Sequence, residues 1–265
     1  MTEIRIVTFN AGAGSPTVTT PEAALLELPF YREALTDAPG APILALQEVG
    51  PAQARALRHA DGDGRCRVLQ ARRPGQGNAL VVPARYELLA RRRRPFVAGH
   101  VRGARATLGA WAWRGHRPDW RQLGEARLWI EAWVRDRAGG AAFTVLTTHL
   151  SVEPYLRLAQ AQAIVARALA APRPVLLAGD LNVPRRAPGA LDVRARAVLA
   201  ALTDVGPASP PGRHPDVDHV LGLGVVPVRA RVWTGASLSL PGHPTAESIS
   251  DHDALDVTVR LAELG

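Results

Sequence analysis

Short apolar runs, each closed by a polar side chain, recur along the whole chain. Ile4-Arg5-Ile6-Val7-Thr8-Phe9 alternates in part, is rich in β-branched residues and stops at Asn10, the pattern of a strand. Ile43-Leu44-Ala45-Leu46 is continuously apolar and stops at Gln47-Glu48. Val175-Leu176-Leu177-Ala178 begins after Pro174 and runs into Gly179-Asp180-Leu181-Asn182. Runs of this length between turn signals suit strands buried on both faces. Val68-Leu69, Ala79 to Val82, Tyr86 to Leu89, a pair at 127–135 and 142–149, and runs near 217–221, 229–234 and 254–260 complete the predicted strands. Helices are predicted over 22–37, 51–60, 155–171 and 190–202, with Pro21 and Pro51 at the start of the first two.

This order contains long antiparallel stretches, with helices between some strands but no regular βαβ alternation. Two sheets packed together, each covered by helices, satisfy it most economically. No Ser/Gly-rich or Pro-rich linker divides the 265 residues and no repeat is visible, so one α/β domain over 1–265 is expected. Residues 99–124 fit no element. They hold Trp111, Trp113 and Trp120 with His100, His116 and several arginines, and read as a long loop of the kind that is usually functional. Trp129 and Trp133 share strand parity and are expected in the core. The Arg91 to Arg94 run is expected at a solvated strand end.

The polar residues that close the apolar runs carry related chemistry. Asn10 is followed by Ala-Gly-Ala-Gly, Glu48 closes the second run, and His149 follows Val145-Leu146-Thr147-Thr148. Asp180 and Asn182 close the run after Pro174, Asp218 and His219 interrupt Val217 to Leu221, and Asp251-His252 precede the last strand. Spaced two apart on an extended chain, Asp180 and Asn182 would project from one face. A carboxylate there can take a proton from water, and an amide can donate to an anionic oxygen.

Composition narrows the setting. The net charge is +8, but all 32 basic residues are arginine and none is lysine, which with the abundant Ala, Gly and Pro is the mark of a GC-rich coding sequence. The excess still favours an anionic substrate, which arginine grips bidentately. Cys66 is the only cysteine, excluding an internal disulfide and thiolate-cluster metal sites. No secretory leader is evident, and no stretch reaches the ~18 apolar residues of a membrane span. A cytoplasmic, monomeric protein with no membrane insertion is the expectation.

The series Phe9-Asn10, LQEV at 46–49, GNALVV at 77–82, THL at 148–150, GDLN at 179–182, DHVL at 218–221 and SDH at 250–252 resembles the endonuclease/exonuclease/phosphatase superfamily, the deoxyribonuclease-I-like fold. The motifs fall in the family's order and span nearly the whole chain. The resemblance implies a four-layer α/β/β/α sandwich of two mainly antiparallel sheets flanked by helices. It also implies phosphoester hydrolysis dependent on Mg²⁺ or Mn²⁺. Carried over by position, Glu48 is the principal metal ligand, helped by Asn10 and Asp251. Asp180 orients or deprotonates the attacking water, Asn182 holds it and a phosphoryl oxygen, and His149 donates to another. His252 contacts the phosphate, its tautomer set by Asp218. Asn78, Trp111, Trp113, Arg114 and Trp120 are the candidate substrate contacts. Arg157 and Gln160 form an R-x-x-Q pair that supports the His149 loop, His219 is structural, and Asp253 is a surface carboxylate.

The expected activity is therefore that of an intracellular metal-dependent phosphodiesterase or phosphatase. Absence of the apurinic-nuclease pattern argues against an apurinic-site nuclease, and the lack of a secretory leader and disulfide against a secreted nuclease or toxin; an endo- or exonuclease acting on DNA or RNA stays as the alternative. A catalytically silent binding module is disfavoured, because every expected catalytic position is filled.

Overall fold

The computed structural model describes residues 2–12, 28–36, 38–62, 64–72, 77–114, 123, 127–186, 189–208, 216–234, 250 and 252–262. Its strands are β1 (Glu3–Asn10), β2 (Ile43–Val49), β3 (Cys66–Arg72), β4 (Gly77–Pro83), β5 (Tyr86–Pro95), β6 (Leu128–Asp136), β7 (Ala142–His149), β8 (Val175–Asp180), β9 (Thr203–Asp204), β10 (Asp218–Leu223), β11 (Val225–Trp233) and β12 (Ala254–Leu261). Its helices are α1 (Pro29–Ala34), α2 (Pro51–Gly62), α3 (Val97–Arg114), α4 (Pro154–Leu169) and α5 (Ala190–Leu199).

Alternation along the strands produces the layers. Ile4 and Ile6 of β1, Ile43 and Ala45 of β2, Ile130 and Ala132 of β6, and Leu176 and Ala178 of β8 meet in one cluster between two sheets. Their strand neighbours face outward. Val7, Phe9, Leu44 and Leu46 pack against Phe30 and Tyr31 of α1 and Leu57 of α2. Leu146, Val175 and Leu177 pack against Ile164 of α4 and Leu199 of α5. Central strands are thus apolar on both faces, which explains their continuous hydrophobic runs. The result is the expected four-layer α/β/β/α sandwich, with sheets ordered β11-β12-β1-β2-β4-β3 and β5-β6-β7-β8-β10-β9. In each, one parallel pair, β1–β2 or β7–β8, sits among antiparallel neighbours.

Several expectations need correction. The helix expected over 22–37 is described only from Pro29 to Ala34, residues 13–27 lying outside the described set. The expected loop at 99–124 is helical as far as Arg114, an 18-residue helix. Its buried face is made of Gly99, Gly103, Thr107 and Ala110, so the backbone lies close on α4 instead of anchoring through large side chains. A Cβ on Gly103 would stand 2.7 Å from the Leu156 Cα, and one on Gly99 3.1 Å from the Ala159 carbonyl. Trp129 and Trp133 are half-buried, and Trp129 packs on the outer cluster beside α4 rather than between the sheets. Asp253 is buried, not at the surface. Arg91 to Arg94 are exposed as expected, but within β5, where four charges line a sheet edge and oppose edge-to-edge pairing.

Gly179 tests the closeness of β7 and β8, since a Cβ there would lie 2.1 Å from the Thr148 carbonyl oxygen. Gly179→Ala should cost about 3 kcal/mol in urea unfolding. Gly109→Ala in α3, where a Cβ meets nothing within 4 Å, should instead add up to about 1 kcal/mol.

Candidate active site

Strand direction gathers the functional residues at one end of the sandwich. β1 and β2 run parallel, as do β7 and β8, so Asn10, Glu48, His149 and Asp180 all leave the C-terminal ends of central strands. β10, β12, β4 and β6 run antiparallel to these, which brings the starts of those strands to the same end: Asp218, the segment through His252, Asn78 and Arg127. The sheets are cross-tied beneath the site. Thr8 Oγ1 donates to Gln47 Oε1 at 3.3 Å, and Gln47 Nε2 donates to Thr147 Oγ1 of the opposite sheet at 3.1 Å.

Asp180 Oδ2 is the point of convergence. Asn10 Nδ2 donates to it at 2.9 Å, His149 Nε2 lies 3.4 Å away and His252 Nε2 3.8 Å away. Its partner oxygen Oδ1 accepts from the Asn182 backbone N–H at 3.0 Å. That bond closes an Asx-turn and places Asn182 in the left-handed region, φ 51°. The extended-chain argument for Asp180 and Asn182 therefore fails: they are juxtaposed by a turn, with Asn182 Nδ2 donating to Leu150 O at 2.9 Å. Glu48 also has φ 51°, at a register shift between Leu46 and Val49 of β2. A bulge re-aims a side chain at some cost in backbone strain. Glu48 and Asn182 are the two non-glycine residues with positive φ among the described residues.

Two hydrogen bonds set imidazole tautomers. The Arg127 guanidinium can only donate, and its Nη1 lies 2.9 Å from His149 Nδ1, so Nδ1 accepts and the ring proton sits on Nε2, facing Asp180. Glu48 Oε1, 3.8 Å from the same Nδ1, is a neighbour and not its hydrogen-bond partner. His252 Nδ1 lies 2.8 Å from Asp218 Oδ2, where a carboxylate accepts, which leaves His252 Nε2 facing the hub. Arg127, Glu48, His149 and Asn78 line a small cleft, with Asn78 Nδ2 donating to Leu128 O at 2.7 Å.

Sequence reasoning missed two arginines. Arg127 is buried but lies just before a strand with nothing local to single it out among the 32 arginines of the chain. Arg185 follows the GDLN segment and braces β10 against it. Its Nε and Nη2 donate to Asp204 at 3.0 and 3.2 Å, and its Nη1 donates to Asp216 Oδ1 at 2.9 Å and to the Asp218 carbonyl. Although burial raises its pKa, hydrogen bonds from His219 and Arg185 hold Asp204 down to about 2. A Pro-Arg after GDLN was the only signal. His219 is structural, as expected, with Nε2 donating to Val183 O at 2.7 Å. The R-x-x-Q pair supports the turn after His149: Gln160 Oε1 accepts from Ser151 N at 2.8 Å and Arg157 donates to Val152 O at 2.9 Å.

The charge of the site asks for a cation. Burial, and after it the Asp218 carboxylate, pushes Asp180 up to about 7, against the opposing pull of His252, Asn10 and the Asn182 N–H. Asp218 Oδ1 is buried without a hydrogen-bond partner among the described residues. Asp180, Asp218 and His252 offer ligand atoms that all lie within 4.8 Å of one another. Two carboxylates and an imidazole within reach of one another can hold a divalent cation. Of the three expected metal ligands, Asn10 turns its NH₂ toward Asp180 while its Oδ1 accepts from Gly12 N at 3.0 Å. Glu48 stands beside His149, and Asp251 lies outside the described residues.

The aromatic candidates are not part of the hub. Trp111 and Trp113 sit on the last turn of α3 with large exposed areas. The Arg114 side chain and Trp120 lie outside what is described.

A family model described as the Endonuclease/Exonuclease/phosphatase family matches residues 7–252. No curated protein matches the sequence. Among solved structures, the fold is similar to an endonuclease/exonuclease/phosphatase from Bacteroides vulgatus, at 16% identity and TM-score 0.70 over 98% of this chain and 100% of that one. It is similar to D. rerio TDP2 complexed with single strand DNA product, at 16% identity and TM-score 0.68 over 98% and 100%. It is also similar to the human Nocturnin catalytic domain with bound sulfate anion, at 16% identity and TM-score 0.60 over 98% and 94%. At such identities the likeness is one of fold.

The raised Asp180 makes a testable link between pH and stability. In metal-free protein the folded state holds a proton that the unfolded chain releases near its ordinary value of 3.8, so stability falls as pH rises from there toward about 7. Asp180→Asn, which mimics the neutral form, should raise Tm at pH 8 in EDTA. The gain should shrink steadily as the pH is lowered toward 4. A constant difference between the two proteins would show that the carboxyl does not titrate in this window.

Proposed function

The chain belongs to the endonuclease/exonuclease/phosphatase family of metal-dependent phosphoester hydrolases, and on that premise we propose that it is a phosphodiesterase or phosphatase acting on an anionic phosphoester. The observation that carries the reading is the convergence of Asn10 of β1, His149 of β7 and His252, just before β12, on one oxygen of Asp180. A carboxyl poised near 7 is matched to taking a proton from water at neutral pH. The Asn10 amide and the Asn182 N–H each donate to one of its oxygens and so fix the orientation of the carboxyl. His149 presents Nε2–H to a non-bridging phosphoryl oxygen, with Arg127 locking that tautomer and adding positive charge nearby. His252, oriented by Asp218, meets a second oxygen. One amide proton of Asn182 is committed to Leu150 O and the other is left for the phosphate.

Glu48, Asn10 and Asp251 are the proposed seat of Mg²⁺ or Mn²⁺, with the buried carboxylates of Asp180 and Asp218 deepening the negative potential beside it. A divalent cation bound there supplies Lewis-acid polarisation of the phosphoryl group and neutralises charge that develops in in-line displacement. The proposed setting is a cytoplasmic monomer. Its support is the single cysteine, Cys66, which is buried. No helix of the described residues is long and apolar enough to cross a membrane.

A second reading, a nuclease, has its own support. TDP2 of similar fold holds a single strand DNA product, and the exposed Trp111 and Trp113 could stack on bases. Assays with bis-p-nitrophenyl phosphate, p-nitrophenyl phosphate, plasmid DNA and oligoribonucleotides, each with and without Mn²⁺, separate the two. Hydrolysis should be lost in EDTA, and Glu48→Gln should lower it by about 100-fold or more while the fold survives. Full activity in metal-free buffer would sink the assignment.

The imidazole–carboxylate pair makes a further prediction. Asp218→Asn should impair turnover nearly as much as His252→Ala, and the double variant should be little worse than either, as for residues acting as a unit. Additive losses would mean that Asp218 serves only the strand.

A further inference from the structure

Helix α3 has an outer face built from apolar and arginine side chains alone. Val97, Val101, Ala104, Leu108 and Trp111 follow a four-three spacing, one stripe along the helix. All of these but Ala104, which is half-buried, are exposed, Val97 at 61%. Arg102 and Arg105 lie exposed beside the stripe, and Trp113 is 90% exposed at the helix end. Residues 97–114 include no acidic side chain. The opposite face is spent on α4, so this outer surface takes no part in the core.

The helix also reaches the working end of the sandwich. Gly99 packs on Ala159, Gly103 on Leu156, and Thr107 donates to Glu153 at 3.4 Å. α3 therefore runs antiparallel to α4, and its last two turns project past the start of α4, where His149 and the turn after it lie.

We propose that α3 is an interfacial helix by which the protein docks on an anionic lipid bilayer. The apolar stripe enters the headgroup–acyl boundary, the guanidinium groups meet lipid phosphates, and the indoles sit at headgroup depth. Charge selects this occupant. Two copies paired through the stripe would bring Arg102 and Arg105 against their own kind with no carboxylate between them, and the stripe is shorter than the three or four heptads that sustain a coiled coil. An exposed apolar stripe flanked within its own helix by cations and no carboxylate matches a surface that is anionic and apolar at once. The proposal does not rest on the hydrolase reading.

Flotation of the full chain with vesicles of equal parts phosphatidylglycerol and phosphatidylcholine tests it. Co-flotation with a blue shift of tryptophan emission is expected, with about ten-fold weaker binding to phosphatidylcholine alone. Val101→Glu with Leu108→Glu should abolish flotation and leave Tm and hydrolysis of soluble bis-p-nitrophenyl phosphate unchanged. Should that variant misfold, Arg102→Gln with Arg105→Gln, both exposed, should reduce binding by about five-fold per residue. A folded protein that ignores the anionic vesicles overturns the proposal, as does unchanged flotation of the variants. Self-association, or oligonucleotide binding without flotation, that is lost in the Val101→Glu, Leu108→Glu variant would assign the face to a second copy or to nucleic acid instead.

Discussion

A carboxylate shut between two sheets must draw its stabilisation from whatever side chains reach it, and Asp180 places that demand on the whole site. It is buried, it lies near a second buried carboxylate in Asp218, and burial alone drives its pKa upward. The surrounding chemistry answers in donors: the Asn10 amide, the Asn182 N–H, and the His149 Nε2–H, whose tautomer is fixed from behind by Arg127. Such a site is poor ground for stability and good ground for proton transfer and for a divalent cation. The packed sheets and their cross-tie through Gln47 hold the carboxylate there despite its cost.

The two sheets repeat one plan. Each has a central parallel pair with an antiparallel strand pair on one flank and another on the other, so β1 corresponds to β7, β2 to β8, β4 to β10 and β12 to β6. The site reads across this correspondence: Asn10 faces the role of His149, Asn78 that of Asp218, and the segment through His252 that of Arg127. A positive-φ residue lies near the C-terminal end of both β2 and β8, Glu48 within the first and Asn182 two residues past the second. Packing two such sheets face to face aligns eight strand ends around one cleft, which neither sheet could line alone.

Rigidity in the cleft comes from outside it. Arg185 binds Asp204, Asp216 and the Asp218 carbonyl, holding the start of β10 against the segment that leaves β8. Arg157 and Gln160 hold the turn after His149 from α4. These contacts are local and mostly shielded, so the geometry at Asp180 is set by packed elements and not by loop chance. α3 is different in kind. It is seated through glycines on α4 and spends its large side chains on the outside, where they contribute nothing to the core.

The sequence alone determined the central strands, because burial on both faces writes itself as continuous apolar runs, and it singled out Asn10, Glu48, His149, Asp180, Asp218 and His252, because each borders such a run. The order of those motifs carried the family and the sandwich. Tertiary structure decided the rest. α3 was missed because its buried face is glycine, threonine and alanine, while the apolar period from Val97 to Trp111 lies on its exposed face. Asp180 and Asn182 were misjudged because an Asx-turn replaced the extended chain on which the parity argument stood. Arg127 was invisible, and Arg185 was marked only by the Pro-Arg after GDLN, because a guanidinium acquires its role only from the partner that folding brings to it. The proton affinity of Asp180 likewise belongs to its burial and to Asp218, 38 positions away along the chain yet directly opposite it across the β8–β10 pair. Patterns within one element are local and legible; charge, tautomer and packing depend on distant neighbours, and only the assembled sheets supply those.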